Sequence, residues 1–354
     1  MPSATLPQPR RRPDRGSTVA AIPTPATVSA DAPPLAAPSD PSATDRAALG
    51  MLAAWMGERY FRTFRLQLDD AAPFDAKLAQ RQRSVGVSIA TLWDPPERAA
   101  GAEELEELLT GDVQVDRSSG GAGAYAVWVP SGAELPDGEP ARSELRLLLT
   151  RGLGGLAPGE RREVRVPVTL QLAKIEDAGA YVSVTGGMSV LWTQMSEGLA
   201  GAFHLDSRPI HRLPEQEAEQ AILISRVRDR AQLLNAGEVS HVALHDYWLL
   251  SRLPGEEPAG VTLVAAPPAF SPLDGPLTRR LFRRAVARAT AQRAQGDCDL
   301  AVLLVVTSLA HIEDELVTAA LRGMSPAGYG SLDLIALVAD GQVRQVLQPR
   351  SLPW

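Results

Sequence analysis

The chain has 354 residues, a formal net charge of −7 at pH 7 and a hydrophobic share of 45%, a composition typical of a globular protein with a large core. Its single cysteine, Cys298, excludes an intramolecular disulfide framework and Cys-rich zinc modules, so we expect a reducing compartment, by default the cytoplasm. The acidic balance argues against a surface coated with basic charge for non-specific nucleic-acid binding, and no apolar run has the length of a membrane span, so no membrane partner is expected.

The N-terminal segment differs in composition from the rest of the chain. Residues 1–45 are rich in Pro, Ala, Ser and Thr, carry a basic cluster around Arg10 and Arg15, and contain no aromatic residue. Such a segment cannot offset the entropy of ordering it, so we predict a disordered tail. It is either inert or an arm for an anionic partner. Residues 46–354 are predicted to form one mixed α/β globular body, with a possible sub-boundary near 200–212.

The first predicted elements follow this tail. Thr44 or Asp45 can cap a helix whose apolar residues recur at helical spacing up to Phe61. Alternating residues predict strands at 64–68 and 85–90, separated by a turn. A helix that opens at Pro95 and runs to residue 109 places a row of glutamates on its solvent side.

The middle and the end of the chain predict further strands and helices. The predicted strands are 125–129, 164–172 with a hairpin partner at 181–184, 242–250, 261–265, 300–306, and a closing hairpin of 332–339 and 343–347. The predicted helices are 143–149, 213–234, 277–295 and 313–321. Hairpins mixed with alternating helices and strands favour a mixed α/β fold, in which a mixed sheet is flanked by helices.

One segment of the first half carries a pattern associated with metal-dependent chemistry. Pro73, Phe74 and Asp75 precede a turn, and the alternating strand that follows contains Ser88 and Ala90. Together with the preceding helix, this stretch resembles the PD-(D/E)XK nuclease core, also called restriction-endonuclease-like. In that family one strand carries an Asp, and the next carries an acidic residue, a spacer and a Lys. Two carboxylates hold Mg²⁺, and the cationic or polar side chain positions the attacking water.

The resemblance implies a degenerate active site in this chain. Asp75 takes the place of the first carboxylate, with Asp69 or Asp70 as alternatives, whereas the second acidic position falls on Ser88 and the Lys position on Ala90. Asp75 is therefore the candidate metal ligand. Mg²⁺ is the implied cofactor only if the nuclease chemistry survives.

A surviving metal site would need a second carboxylate from elsewhere in the chain. The candidates are Glu58, on the preceding helix, and Glu103. The resemblance covers residues 46–93 and extends loosely to 213–265, where a long helix carries Arg228, Arg230 and Gln232 in place of the Lys and Gln that some members present.

A second candidate metal site involves two histidines. His241 and His245 lie on one side of a strand or one turn apart on a helix, a spacing that can hold a metal. No Glu stands in the HExxH position, and the β-forming residues around them favour a strand. Both readings, metal ligands and ordinary polar residues of a strand face, stay open at this point.

The predicted helix at 277–295 is the candidate surface for a partner. Its arginines crowd one segment, and those proposed to contact nucleic acid or an acidic protein are Arg279, Arg280, Arg283 and Arg284. Because arginine outnumbers lysine throughout the chain, as is typical of GC-rich bacterial genomes, an ordinary solvated helix face explains the same pattern.

Three functions follow from these observations. The first is a non-catalytic binding or assembly protein derived from a nuclease-like fold, whose partner is a protein or a nucleic acid. The second is an active Mg²⁺-dependent nuclease with a migrated carboxylate ligand. The third is an unrelated α/β protein-interaction module that presents the alternating surface of residues 163–185 to a partner.

Overall fold

The computed structural model describes residues 41–68, 71–93, 101–115, 123–254, 259–266, 275–307, 324–349 and 351–354. These residues form two mixed sheets flanked by helices, which confirms the predicted mixed α/β class. Residues 1–40 of the predicted tail, and the whole predicted helix at 313–321, lie outside the described residues. None of the helices in the described ranges combines the length and apolarity needed to cross a membrane.

The elements are numbered in chain order. The strands are β1 (Arg65–Gln67), β2 (Ala76–Gln80), β3 (Arg83–Thr91), β4 (Ala124–Trp128), β5 (Arg161–Glu176), β6 (Ala180–Gly186), β7 (Gly201–Ser207), β8 (Val239–Arg252), β9 (Gly260–Val264), β10 (Leu300–Thr307), β11 (Leu334–Ala339) and β12 (Gln342–Leu347). The α-helices are α1 (Ala43–Tyr60), α2 (Ala102–Val115), α3 (Ala141–Leu153), α4 (Trp192–Ser196), α5 (Glu217–Gln232) and α6 (Gly275–Gln295).

The first sheet, sheet A, combines the two ends of the described chain. Its strand order is β1-β2-β3-β10-β11-β12. The pairs β3–β10 and β10–β11 are parallel, and the other pairs are antiparallel. Every residue of the central strand β10 is buried, as expected for a strand covered on both faces. The helices α1 and α6 both pack against β10, and their apolar residues share one core with sheet A.

The second sheet, sheet B, is built from the middle of the chain, between β3 and β10. Its order is β6-β7-β5-β8-β4-β9, and β5 and β8 form its long antiparallel centre, from Arg161 opposite Ser251 to Ala173 opposite Val239. Segment 200–212 contains β7, which lies inside this sheet between β5 and β6.

Two predicted features of sheet B need correction. The expected hairpin of β5 with β6 does not form, because β6 pairs in parallel with β7, and β7 pairs with β5. The strand β7 (Gly201–Ser207) was not predicted from the sequence. The Phe203 and Leu205 side chains of β7 are buried, whereas β6 is more exposed. The neighbour of β5 on the side away from β8 is therefore β7, the strand with the apolar face.

Two corrections concern the N-terminal elements. The capping residue of α1 is Ser42, not Thr44 or Asp45. The Ser42 hydroxyl accepts from the Asp45 backbone N–H at 3.2 Å, and the Asp45 carboxylate accepts from the Ser42 N–H at 3.0 Å, a reciprocal cap. The strand β2 was missed because Ala, Lys and Gln dominate it. It forms because it pairs with β1 on one side and β3 on the other.

Candidate functional site

The segment that resembles the nuclease core forms the junction of β2, β3 and α6. Asp75 immediately precedes β2, and its backbone N–H donates to the Val87 carbonyl at 3.0 Å. Its carboxylate oxygen Oδ2 accepts from the Ile89 N–H at 2.7 Å. These contacts fix Asp75 against β3, with its side chain only 11% exposed.

An arginine of α6 reaches this carboxylate. The Arg288 guanidinium forms an ion pair with Oδ1 of Asp75, and it also donates to the Ile89 carbonyl at 2.9 Å. One turn later Gln292, which is buried, donates from Nε2 to the Pro73 carbonyl at 2.7 Å. The helix is thus held to both ends of the Pro73–Phe74–Asp75 segment.

Phe74, the residue that interrupts the Pro-Asp pair, is a core residue. Its ring is fully buried, and a methyl group added at Gly86 or Gly296 would lie within 2.6 Å of ring atoms. The ring therefore rests directly on backbone of β3 and of the turn after α6. This packing anchors the segment and places the Asp75 carboxylate beside Ile89 and Arg288.

Burial and the ion pair act on Asp75 in opposite directions. Burial raises the pKa of the Asp75 carboxyl above its ordinary value, and the charge of Asp45 on α1 adds to the rise. The Ile89 N–H and the Arg288 guanidinium lower the pKa and offset part of the effect of burial. Burial disfavours the ionised form of the Asp75 carboxyl group, and Arg288 stabilises that form.

Replacing Arg288 with alanine should make the stability more dependent on pH. Without the guanidinium the pKa of Asp75 in the folded chain rises further above its unfolded value near 3.8, so the stability lost as the pH rises from that value through the folded-state pKa becomes larger. Below that value the carboxyl is protonated in both states, and the ion pair contributes nothing. The loss of unfolding free energy should be about 1–2 kcal/mol larger at neutral pH than in acid, as measured by urea unfolding.

Arg284→Ala is the matched control, since Arg284 is exposed one turn earlier on the same helix. Its effect should stay within about 0.5 kcal/mol at both pH values. An Arg288→Ala loss of the same size in acid and at neutral pH would show that the ion pair with Asp75 does not stabilise the fold.

The structure places the other residues of the nuclease pattern as follows. Ser88 is buried in β3, opposite Leu303 of the central strand, and Ala90 follows on the same strand. Asp69 and Asp70 lie outside the described residues, and Glu103 is exposed on α2.

Glu58 is not brought to Asp75. The acidic residue of α1 whose charge acts on Asp75 is Asp45, and Glu58 lies 13 residues further along the helix, about 20 Å at 1.5 Å per residue. In the described ranges, no three His, Cys, Asp or Glu side chains cluster in a way that could hold a metal ion. Within the described part of the chain, the groups bonded to the Asp75 carboxylate are the Ile89 N–H and the Arg288 guanidinium, and neither donor is a ligand for Mg²⁺.

The arginine face of α6 is exposed as the sequence indicated. Its arginines stand opposite the buried Phe282, Val286 and Ala289, and those named from the sequence are Arg279, Arg280, Arg283 and Arg284. The Arg279 Nε donates to the Gly275 carbonyl at 3.1 Å. Binding of a partner by this face stays a prediction.

The two candidate histidines share one face of β8, as a strand requires. His241 is exposed and His245 is partly buried, opposite Gln171 and Pro167 of β5. Burial lowers the pKa of His245, and nearby Arg226 and Arg165 lower it further. Lower pKa favours the neutral imidazole, but the described residues offer no third metal-binding side chain beside the pair.

The exposed positions of β5 give sheet B an open face. Arg165, Pro167, Thr169 and Gln171 alternate with more buried residues along the strand. This is the alternating surface that the sequence indicated for residues 163–185. Its use as an interaction surface stays a prediction.

Sequence reasoning missed a buried polar cluster that connects the two sheets. Arg212, in the loop before α5, lies with its Nη1 3.2 Å from Oδ2 of Asp340, in the turn between β11 and β12, and each side chain is only 2% exposed. Asp246 of β8 holds this loop by accepting from the backbone N–H groups of His211 and Arg212 at 2.9 and 2.8 Å.

Arg288 was also missed as a site residue. It was one of several arginines on α6. The signal in the sequence is that it directly precedes Ala289, an apolar position of the helix that the structure buries. Nothing in the sequence pairs it with Asp75, which lies 213 positions away.

Comparison of the chain with protein-family models, with curated proteins and with solved structures found no match.

Proposed function

We propose that this chain is a non-catalytic binding or assembly protein derived from a nuclease-like fold. The observation that carries the proposal is the ion pair between Asp75 and Arg288, at the position where the resemblance implies a metal ligand. The Arg288 guanidinium lies beside the carboxylate where the family would hold a metal cation.

The chemistry of the junction argues against metal binding. Mg²⁺ takes oxygen ligands at about 2.0–2.1 Å in an octahedral arrangement and keeps several waters. Both oxygens of Asp75 already accept hydrogen bonds, one from Ile89 and one from Arg288. A divalent ion beside this carboxylate would have to displace those donors and would be repelled by the guanidinium.

The arrangement of the elements supports descent from a nuclease-like fold. A helix, α1, precedes the strand β2 that Asp75 opens, and the next strand, β3, contains Ser88 and Ala90 where the family has an acidic residue and a Lys. With Ser88 and Ala90 at these positions, β3 supplies neither the second carboxylate nor the Lys of the family pattern.

Calorimetric titration with Mg²⁺ and Mn²⁺, combined with incubation on single- and double-stranded DNA and RNA, tests the proposal. We expect no saturable metal binding and no cleavage by the full chain. Asp75→Asn, which keeps an acceptor oxygen, should behave like the parent chain in both assays. Saturable metal binding with cleavage, both abolished by Asp75→Asn, would instead establish a nuclease with a migrated carboxylate ligand.

A further inference from the structure

A groove lined by arginines lies at the opposite end of β2 from Asp75. It has a volume of about 730 Å³ and lies between the C-terminal end of α1, β1 and the turn that joins β2 to β3. An adjoining groove of about 480 Å³ continues past the same turn to the C-terminus, and the two share Arg62, Gln80 and Arg81. Six residues of extended chain separate Asp75 from Arg81, so this groove is about 20 Å from the Asp75 carboxylate.

The two grooves carry only positive charge. Among the described residues that line them are four arginines, Arg62, Arg65, Arg81 and Arg83, and no Asp or Glu. None of these arginines forms an ion pair with a carboxylate of the described residues. In a chain with a net charge of −7, a groove of this kind concentrates positive potential at one place.

Within the part of the chain that the structure describes, Arg65 and Arg81 have no ion-pair or hydrogen-bond partner that explains the position of their side chains. Arg62 donates to the Phe61 carbonyl at 3.1 Å, and Arg83 donates to the Pro353 carbonyl at 2.5 Å and lies over the Trp354 ring. Arg65 pairs in the ladder with Ala79, two residues before Arg81, and both arginines line the larger groove. Two guanidinium groups that line one groove, neither with an ion-pair partner among the described residues, can contact neighbouring anionic groups of one ligand.

The backbone at the groove is strained. Three non-glycine residues of the described chain have positive φ, and two of them, Phe61 and Arg81, line this groove. Phe61 ends α1 at φ 53° and ψ 47°, a position that glycine normally takes, and its side chain is 87% exposed. A bulky residue in the left-handed region is costly, and such costs concentrate at binding sites.

We infer that this groove binds single-stranded nucleic acid. An exposed aromatic ring beside a positive groove is the arrangement that stacks a base while arginines contact the phosphates of the same strand. Phe61 supplies the ring, and Arg62, Arg65 and Arg81 supply the phosphate contacts. A base inside a duplex cannot stack on Phe61, so the groove prefers a single strand. The inference rests on the proposed binding role and does not involve Asp75.

Fluorescence anisotropy with labelled DNA and RNA oligonucleotides of about 12 nucleotides tests this inference. The full chain is titrated in EDTA, so that binding is measured separately from any metal-dependent cleavage. Arg65→Ala combined with Arg81→Ala should weaken binding at least about tenfold at about 50 mM salt. The slope of log K against log salt should fall by about 1.4, which is about 0.7 for each phosphate contact of a single strand.

Phe61→Gly separates stacking from charge. It should weaken binding roughly tenfold, the effect of losing one stacked base, with little change in the salt slope. Its melting temperature should equal or exceed that of the parent chain, because glycine adopts positive φ without strain. Arg208→Ala combined with Arg226→Ala, which removes two exposed arginines from the part of the chain that builds sheet B, is the charge-matched control and should change binding less than twofold.

Five outcomes would overturn the inference, and the first four are single results. They are no binding of any oligonucleotide at low salt, tighter binding of duplex than of single strands, equal binding by the groove variants and the parent, or loss of binding in Arg279→Ala/Arg280→Ala instead. The fifth outcome combines three results. Oligonucleotide binding is lost in the Arg65→Ala/Arg81→Ala variant, inorganic phosphate competes fully with the oligonucleotide, and Phe61→Gly has no effect. Together these would identify a simple anion site and reject the inference. A metal-dependent cleavage of the bound strand would reject the non-catalytic role and leave the groove assignment intact.

Discussion

Replacing Arg212 with alanine is expected to lower the free energy of unfolding by about 3–5 kcal/mol. Its guanidinium is 2% exposed, and it pairs with Asp340 at 3.2 Å and with Oε1 of Glu215 at 2.7 Å. Removing the guanidinium takes away the cation 3.2 Å from the buried Asp340 carboxylate, and breaking a buried ion pair from one side is strongly destabilising. Urea unfolding of the two chains at the same pH measures it.

Two further variants separate this cause from a general loss of packing. Asp340→Asn in the Arg212→Ala background removes the buried charge at residue 340, and because Asn tolerates the positive φ there it should recover part of the lost stability. Arg208→Ala breaks an exposed ion pair with Asp206 and should cost less than about 1 kcal/mol. No recovery in the double variant would mean that the loss comes from packing of the arginine stem rather than from the charge of Asp340.

The sequence predicted the elements with strong periodicity. The helix α6 and the strands β3, β5, β8 and β10 were found close to their bounds, because each has a long alternating or apolar pattern. The strand β2 was missed because its residues have weak strand propensity, and its pairing with β1 and β3 is what orders it. Local pattern cannot report a preference that arises only from neighbours in the sheet.

The partners of the site residues were beyond the sequence for a related reason. Asp75 was identified from a motif, but Arg288 comes from a helix that returns to the sheet after the whole of sheet B has been formed. The Arg212–Asp340 pair likewise joins distant segments. Charged residues are common on surfaces, so the sequence does not show which of them is buried against a charged partner. Only the tertiary fold distinguishes such a residue from a solvated one.

The groove could have been suspected from the sequence at one position only. The run from Tyr60 to Arg65 places aromatic and basic residues just after a predicted helix, where glycine or asparagine is the usual residue. Arg81, however, joins this run only through the pairing of β1 with β2. Because β2 was not predicted, the two halves of the groove could not be brought together.

Phe74→Ala is expected to lower the free energy of unfolding by about 3–5 kcal/mol, the usual cost of removing a buried aromatic ring. The ring is 0% exposed and rests on Gly86 and Gly296, so little of the surrounding backbone can move in to fill the space. Phe61→Ala removes the same ring from an exposed position and should stay within about 0.5 kcal/mol. The two chains are compared by urea unfolding.

Gly86→Ala tests the same contact from the other side. A methyl group there would come within 2.6 Å of the Phe74 ring, so the substitution should cost about 1–3 kcal/mol in the parent chain. In the Phe74→Ala background that clash is absent, and the same methyl group should cost little or even stabilise by filling space. Simple addition of the two single effects would contradict the contact. Non-additive effects would show that the Phe74 ring packs directly against Gly86 of β3, so that the aromatic residue between Pro73 and Asp75 holds this segment to the sheet.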